Sequence, residues 1–299
     1  MKLKRRLFVL ILIPVALGAA ALDYTAGPGT LDVLDRFAPG SAGQRIASDV
    51  AFGAHAQKLD VWRSVGAKHG GAPVLVFFYG GGWVKGSRQE YGWAARAYAS
   101  KGFVVVVPDY RKVPQVRFPV FIEDGADAVR WTKDNIARFG GDPTRIAIAG
   151  HSAGGHTVAM LALDPQWLAK AGAVGAVKAA VGLSGPYDFY PFTGRAIAAM
   201  EAWPRPQETQ PLHYARGDAP PMMLVTGTVD TTVRPKNARN LAAKLKALGA
   251  TVEEKEYAGQ GHEDIAMALS VPFRGKSSVL DDTVAFLNAH LANRPAPAQ

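Results

Sequence analysis

The chain has 299 residues, 48% of them hydrophobic, and no cysteine. That is enough apolar mass for one large core, and it excludes disulfides, thiolate metal sites and a cysteine nucleophile. The formal charge is +9, of which Lys2, Lys4, Arg5 and Arg6 supply four; setting these aside leaves 30 basic against 25 acidic residues. No dense Lys/Arg run interleaved with aromatics appears, which sets nucleic-acid binding aside. No His-Glu-x-x-His, P-loop or Gly-x-Gly-x-x-Gly pattern calls for zinc, a nucleotide or a dinucleotide.

The basic residues at the start run into Leu7–Leu22, an uncharged apolar stretch that closes on Ala19, Ala20 and Ala21. This is the layout of an export signal. The stretch is also near the lower length limit of a membrane span, and its Pro14 is tolerated in one, so a cleaved signal and a retained anchor are both open for residues 1–22. Either outcome places the folded part outside the cytoplasm, periplasmic or extracellular or held at the membrane by its N-terminus, because the positive flank stays inside. Residues 23–48, rich at first in Gly, Pro and Ala, read as a linker. One α/β domain is expected over 49–292, followed by a tail over 293–299.

Within that domain, Lys58–Arg63 (KLDVWR) alternates like a half-buried strand. Ala72–Tyr79 (APVLVFFY), Phe103–Pro108 (FVVVVP), Arg145–Ala149, Val177–Leu183 and Met222–Gly227 (MMLVTG) are short apolar runs suited to central parallel strands. Thr251–Tyr257 (TVEEKEY) is polar at alternate positions, as an edge strand would be. Helical patterns separate them, over Ser87–Ser100, Pro119–Phe139, Lys236–Leu248 and about Ser278–Leu291. In the last, Leu280, Val284, Leu287 and Leu291 form a core-facing stripe. Strands alternating with helices predict a doubly wound, mostly parallel sheet with helices on both faces. Residues 190–211, with Trp203, Pro204, Pro206 and Pro211, break the rhythm and read as a small lid-like insertion at the active-site edge of the sheet.

Three places in this pattern carry chemistry. Gly150-His151-Ser152-Ala153-Gly154 follows an apolar strand and precedes a small-residue helix, the strand-turn-helix setting of a Gly-x-Ser-x-Gly elbow. To stand clear of the sheet Ser152 must take a strained conformation, and side chains two residues before and after it would then collide. A serine hydroxyl needs a base held by an acid. Asp230 follows the strand MMLVTG, and His262 lies in the loop AGQGHED after the strand TVEEKEY. Both fall past the carboxyl ends of their strands, where open α/β sheets bind ligands. The other histidines lack this placement: His151 is inside the elbow, His156 on its helix, His290 in the last helix, His55 and His69 before the main sheet, and His213 before the strand of Asp230. Asp188, Glu263 and Asp264 are rivals for the acid. Oxyanion donors are expected at Gly81 and Gly82, in Tyr79-Gly80-Gly81-Gly82-Trp83 directly after a strand, and at Ala153 after the nucleophile.

Taken together, DVAFGAHAQKLDVWR, FFYGGGWVKGS, VVPDYRKVPQVRFP, IEDGADAVRW, FGGDPTRIAIAGHSAGG, TGTVDTTV and GQGHED resemble the α/β-hydrolase superfamily, in particular its esterase/lipase group of hormone-sensitive-lipase and feruloyl-esterase-like type. The resemblance runs from about Asp49 to His290. It implies a serine hydrolase acting on small-molecule esters, with Ser152 as nucleophile, Asp230 as acid, His262 as base, an oxyanion hole at Gly81, Gly82 and Ala153, and no cofactor. Amide or peptide cleavage by the same residues is the alternative within enzymes, and a non-catalytic binding protein on a hydrolase scaffold the alternative outside them. The family usually carries His-Gly-Gly-Gly, and here Tyr79 stands where that histidine would be.

Overall fold

The computed structural model describes residues 27–40, 42–66 and 70–292. The expectations for residues 1–22 and 293–299, and the position of His69, lie outside them. Eight strands form one sheet in the order β1-β2-β4-β3-β5-β6-β7-β8. They are β1 (Gly43–Phe52), β2 (Gln57–Ser64), β3 (Ala72–Phe78), β4 (Val104–Pro108), β5 (Gly141–His151), β6 (Val177–Leu183), β7 (Met222–Gly227) and β8 (Val252–Tyr257). The pairs β1/β2 and β2/β4 are antiparallel and all others parallel. The continuous apolar runs occupy the middle, where both faces are covered; the charged β8 and the more exposed β1 are the edges.

The strand order decides where a site can form. The chain steps outward from β3 to β4 and then crosses back over β3 to reach β5. Successive crossovers therefore leave in opposite directions, and a crevice opens at the carboxyl ends of β3 and β5. The register lines up the neighbouring strand ends: Phe78 pairs with Gly150, Gly150 with Gly182, Leu183 with Val225 and Gly227 with Tyr257. Every loop that carries chemistry leaves the same rim.

Helices cover both faces. In chain order they are α1 (Pro28–Phe37), α2 (Gly92–Ser100), α3 (Val120–Asn135), α4 (Ala153–Leu163), α5 (Pro165–Lys170), α6 (Arg195–Met200), α7 (Lys236–Ala247), α8 (His262–Met267) and α9 (Val279–Leu291). On one face α2 meets α9, where the buried Tyr98 and Thr283 hydroxyls lie 3.1 Å apart. On the other, α4 follows the elbow and is buried along its whole length, which its run of small and apolar residues permits.

The linker expected over 23–48 is a misreading from Pro28 onward. Composition suggested a loose arm, but α1 and the start of β1 fall inside it. The cause is a charge in α2. Arg96 is 4% exposed and must be paired to be tolerated there. Asp32 and Asp35, three apart on one face of α1, meet it at 2.6 and 2.7 Å, and the Asp32 carbonyl oxygen accepts a further bond at 2.8 Å. Asp35 also accepts from the amide of Val271 at 2.7 Å, so α1 is tied to the body of the domain at two points.

The insertion at 190–211 holds α6 and a 3-10 turn, Pro206–Thr209. It is anchored: the amide of Phe118 donates to Ala199 (2.9 Å), Trp203 packs edge-on against Phe118 (5.3 Å), and the buried ring of His156 bonds the Thr209 carbonyl oxygen (2.8 Å).

Candidate active site

Ser152 sits between the end of β5 and the start of α4 with φ 55° and ψ −119°, a conformation L-residues avoid at a cost of about 1–3 kcal/mol. Its own amide donates to the Leu183 carbonyl oxygen (2.9 Å), and its carbonyl oxygen accepts the first helical bond from His156 (3.1 Å). The flanking glycines are demanded by space. A Cβ on Gly150 would stand 2.5 Å from the Gly154 carbonyl oxygen, and one on Gly154 would stand 2.7 Å from that of Tyr79. Both obstacles are backbone and have no rotamer to change.

Across the rim, the Ser152 hydroxyl lies 2.9 Å from Nε2 of His262, and Nδ1 of that ring lies 2.8 Å from Oδ2 of Asp230. His262 is the first residue of α8; Gly261 before it donates its amide to Asp264 (2.8 Å). Asp230 leaves the end of β7, and its other oxygen accepts from the amides of Thr232 (3.0 Å) and Val233 (2.8 Å). Burial works to raise the pKa of Asp230, but the bond to His262, its charge and the Val233 amide outweigh that, holding the carboxyl below its usual value. The rivals stand elsewhere. Asp264 caps its own helix, Asp188 accepts from Asn240 (2.6 Å), and Glu263 is exposed.

The glycine loop reaches the same place from β3. Gly81, Gly82 and Trp83 take φ of 133°, 63° and 61°, and the amides of Val84 and Lys85 both fold back on the Gly81 carbonyl oxygen at 3.3 and 3.2 Å. Among the described residues, the amides of Gly81, Gly82 and Ala153 donate to no protein acceptor. Positive φ is open to glycine at no steric cost and is strained for a tryptophan. Trp83 is held by its surroundings: the Val113 amide donates to its carbonyl oxygen (2.9 Å), and its ring stacks on Phe189 (5.9 Å) and meets His156 edge-on (5.4 Å). Among the described residues, no group of three or more His, Asp or Glu side chains converges as a metal site would.

The BD-FAE family model matches residues 59–245. The chain belongs to the BD-FAE family. The matched stretch takes in the glycine loop, Ser152 and Asp230 and stops before His262. The esterase LipC of Mycobacterium tuberculosis is 36% identical over 228 residues, 69% of this chain and 57% of LipC. The isoprenylcysteine α-carbonyl methylesterase ICME of Arabidopsis thaliana is 30% identical over 241 residues, 73% of this chain and 56% of ICME. The chain thus spans a little over half the length of these curated relatives. Among solved structures, Thermogutta terrifontis esterase 2 phosphonylated by sarin superimposes with a TM-score of 0.68 at 24% identity, over 81% of this chain and 92% of that one. The likeness is one of fold, and the fold is that of the α/β-hydrolases.

Tyr79, directly before the glycines, is an anchor. Its ring stacks on Tyr110 (4.6 Å), its hydroxyl donates to Asp109 (3.0 Å) and accepts from Lys112 (2.9 Å). Burial, then the neighbouring Tyr110 and Asp109, push its pKa well above the ordinary value, so it stays a neutral donor. Asp109 is in turn held by the amide of Arg88 (3.0 Å) and by its guanidinium, which also pairs with Asp49 and, at 2.9 Å, with Asp60 inside β2. Sequence reasoning missed Arg88, Asp60 and Asp109. The one available signal was the PDY segment, whose aspartate follows directly on a strand. It also passed over His151 and Tyr91, two buried polar groups against the elbow.

Proposed function

We propose that the protein hydrolyses carboxylic esters through an acyl-enzyme on Ser152. The observation that carries this reading is the unbroken path from a strained serine hydroxyl through both ring nitrogens of His262 to Asp230. Ser152 Oγ attacks the ester carbonyl while His262 Nε2 takes its proton. Asp230, accepting from Nδ1–H, keeps the lone pair of Nε2 facing the serine and steadies the imidazolium that forms. The tetrahedral oxyanion is received by the amides of Gly81, Gly82 and Ala153, each such donor typically contributing about 3 kcal/mol to the transition state. The imidazolium then protonates the leaving alcohol, and water repeats the sequence on the acyl-enzyme. Esterases among the relatives at 30–36% identity support the choice of an ester over an amide. Export, with residues 1–22 serving as signal or anchor, is part of the same proposal and rests on their charge pattern.

The test is turnover of 4-nitrophenyl esters of increasing acyl length, beside the matching anilides, by the wild type and by Ser152→Ala. The variant should fold normally and lose several orders of magnitude in kcat, with fluorophosphonate labelling abolished. An alanine variant that still turned over, or a wild type faster on anilides than on esters, would refute the reading. Export fails if the full-length chain, N-terminus intact, is recovered from the soluble cytosolic fraction.

A further inference from the structure

His151 takes no part in the proton transfer just described, yet both its ring nitrogens are engaged. Nε2 lies 3.1 Å from the backbone carbonyl oxygen of His262, and Nδ1 lies 3.3 Å from the hydroxyl of Tyr91. These partners fix the tautomer. A carbonyl oxygen only accepts, so Nε2 carries the ring hydrogen. A neutral ring then presents a lone pair at Nδ1, which accepts from Tyr91 O–H. Each of the two hydrogens finds one acceptor, in one direction: Tyr91 O–H leads to His151 Nδ1, and His151 Nε2–H leads to the His262 carbonyl oxygen.

The chain is enclosed. Tyr91, His151 and His262 are all buried, and a Cβ on Gly80 would stand 2.9 Å from both His151 Nδ1 and the Tyr91 hydroxyl. Burial, then the neighbouring His262, push His151 down to about 3, so its ring stays neutral near pH 7. In such surroundings an unmade hydrogen bond leaves a desolvated polar group without a partner, which gives each link a firm length. The geometry closes a ring around the reacting atoms. Ser152 holds the His262 side chain, His151 is peptide-bonded to Ser152, and His151 holds the His262 main chain.

We propose that His151 and Tyr91 are positioning residues: their buried hydrogen-bond chain joins the elbow to the base loop, and Gly80 packs directly on both side chains, so that together they fix where the oxyanion donors and the His262 imidazole stand relative to Ser152. Neither touches substrate. The inference rests on the ester-hydrolase reading, which assigns the three segments their roles. A shift of a fraction of an ångström at such contacts costs rate and leaves substrate affinity unchanged, since the alignment matters in the transition state.

The experiment compares His151→Asn, His151→Gln and Tyr91→Phe with wild type on 4-nitrophenyl butyrate. Thermal unfolding of each is recorded, and ¹⁵N NMR of the histidine rings is taken on the wild type. A glutamine side chain reaches as far as Nε2 and can offer an N–H there; asparagine reaches only to Nδ1. Expected are a kcat about 30-fold lower for His151→Asn with KM within about twofold, recovery of most of that loss in His151→Gln, and a drop of roughly fivefold for Tyr91→Phe, which loses the bond to His151 Nδ1 but keeps the His151 bond to the base loop. The His151 ring should report a neutral Nε2–H tautomer at pH 7. Unchanged kcat in folded His151→Asn, equal impairment of the asparagine and glutamine variants, or a ring protonated at Nδ1 would overturn the proposal. A wild type with no ester turnover would instead sink the hydrolase reading, and the ring tautomer would then decide the chain by itself.

Discussion

Replacing Asp230 by asparagine should disable the site by reversing one hydrogen. In the native protein Oδ1 of Asp230 accepts two backbone amides, from Thr232 at 3.0 Å and Val233 at 2.8 Å, while Oδ2 faces Nδ1 of His262 at 2.8 Å. An asparagine in this place can keep both amide bonds only by turning its oxygen toward Thr232 and Val233. Its NH2 then faces the imidazole, Nδ1 becomes the acceptor, and the ring hydrogen moves to Nε2. That nitrogen, 2.9 Å from the serine hydroxyl, can no longer take the serine's proton. To reach the productive tautomer the variant must set N–H against N–H at His262, or give up two backbone bonds in a pocket where Asp230 is 3% exposed. Either route costs about 4–5 kcal/mol, roughly 10³–10⁴-fold in kcat. KM should stay within about twofold, because Asp230 reaches the substrate only through His262. Stability should be nearly unchanged, since the two loop bonds survive. Steady-state kinetics on 4-nitrophenyl butyrate at pH 7–8 measure the loss, and ¹⁵N chemical shifts of His262 report the tautomer. A folded Asp230→Asn enzyme within about tenfold of wild type, or one whose His262 keeps its hydrogen on Nδ1, would refute this reasoning.

Three further outcomes follow from the packing. Burial lowers His151 to about 3 and His156 to about 4, from an ordinary 6.5; the unfolded chain therefore binds more protons below pH 6.5, and stability falls as pH drops through 6.5 toward those values. At pH 5 the loss is about 2 kcal/mol for each histidine, and urea unfolding at pH 7.5 and pH 5 should differ by about 4 kcal/mol; equal midpoints would contradict the burial of both rings. Gly154→Ala forces a Cβ into the Phe78 carbonyl group, with the Tyr79 carbonyl oxygen close behind, and should lower stability by about 3 kcal/mol or more, with activity lost beyond that; soluble, active protein with a native melting point would show that the elbow can yield. Asp35→Ala strips Arg96 of one of its two carboxylates and leaves the Val271 amide unpaired, so it should cost on the order of 3 kcal/mol in urea unfolding while turnover per folded molecule holds; a cost under about 0.5 kcal/mol would mean that α1 is not fastened as described.

Much of the fold was legible because the physics involved is local. Strands covered on both faces must be apolar throughout, so the runs at 72–78, 104–108, 177–183 and 222–227 announce themselves, and the charged run Glu253–Glu256 marks an edge, although it does not alternate as expected. Gly150 and Gly154 were readable for the same reason: the collisions they avoid arise at the turn itself and at the strand end beside it. The segment over 28–37 was not. Its local composition resembles a linker, and what makes it a helix bound to the domain is a buried guanidinium some sixty residues away. The work of Tyr79 was equally hidden, since its partners Asp109 and Lys112 come from a loop beyond another strand.

By itself the sequence determined the alternation of strand and helix, the elbow and its glycines, and the chain order of serine, aspartate and histidine, all of them matters of spacing along the backbone. The strand order and register were decided only in three dimensions, and with them the meeting of three loops at one rim, the placing of Asp230 beside the His262 ring and the hydrogen-bond direction at His151. Those depend on groups brought together by a sheet whose pairing spans the whole chain. A hydrogen bond, unlike a propensity, exists only when both partners arrive.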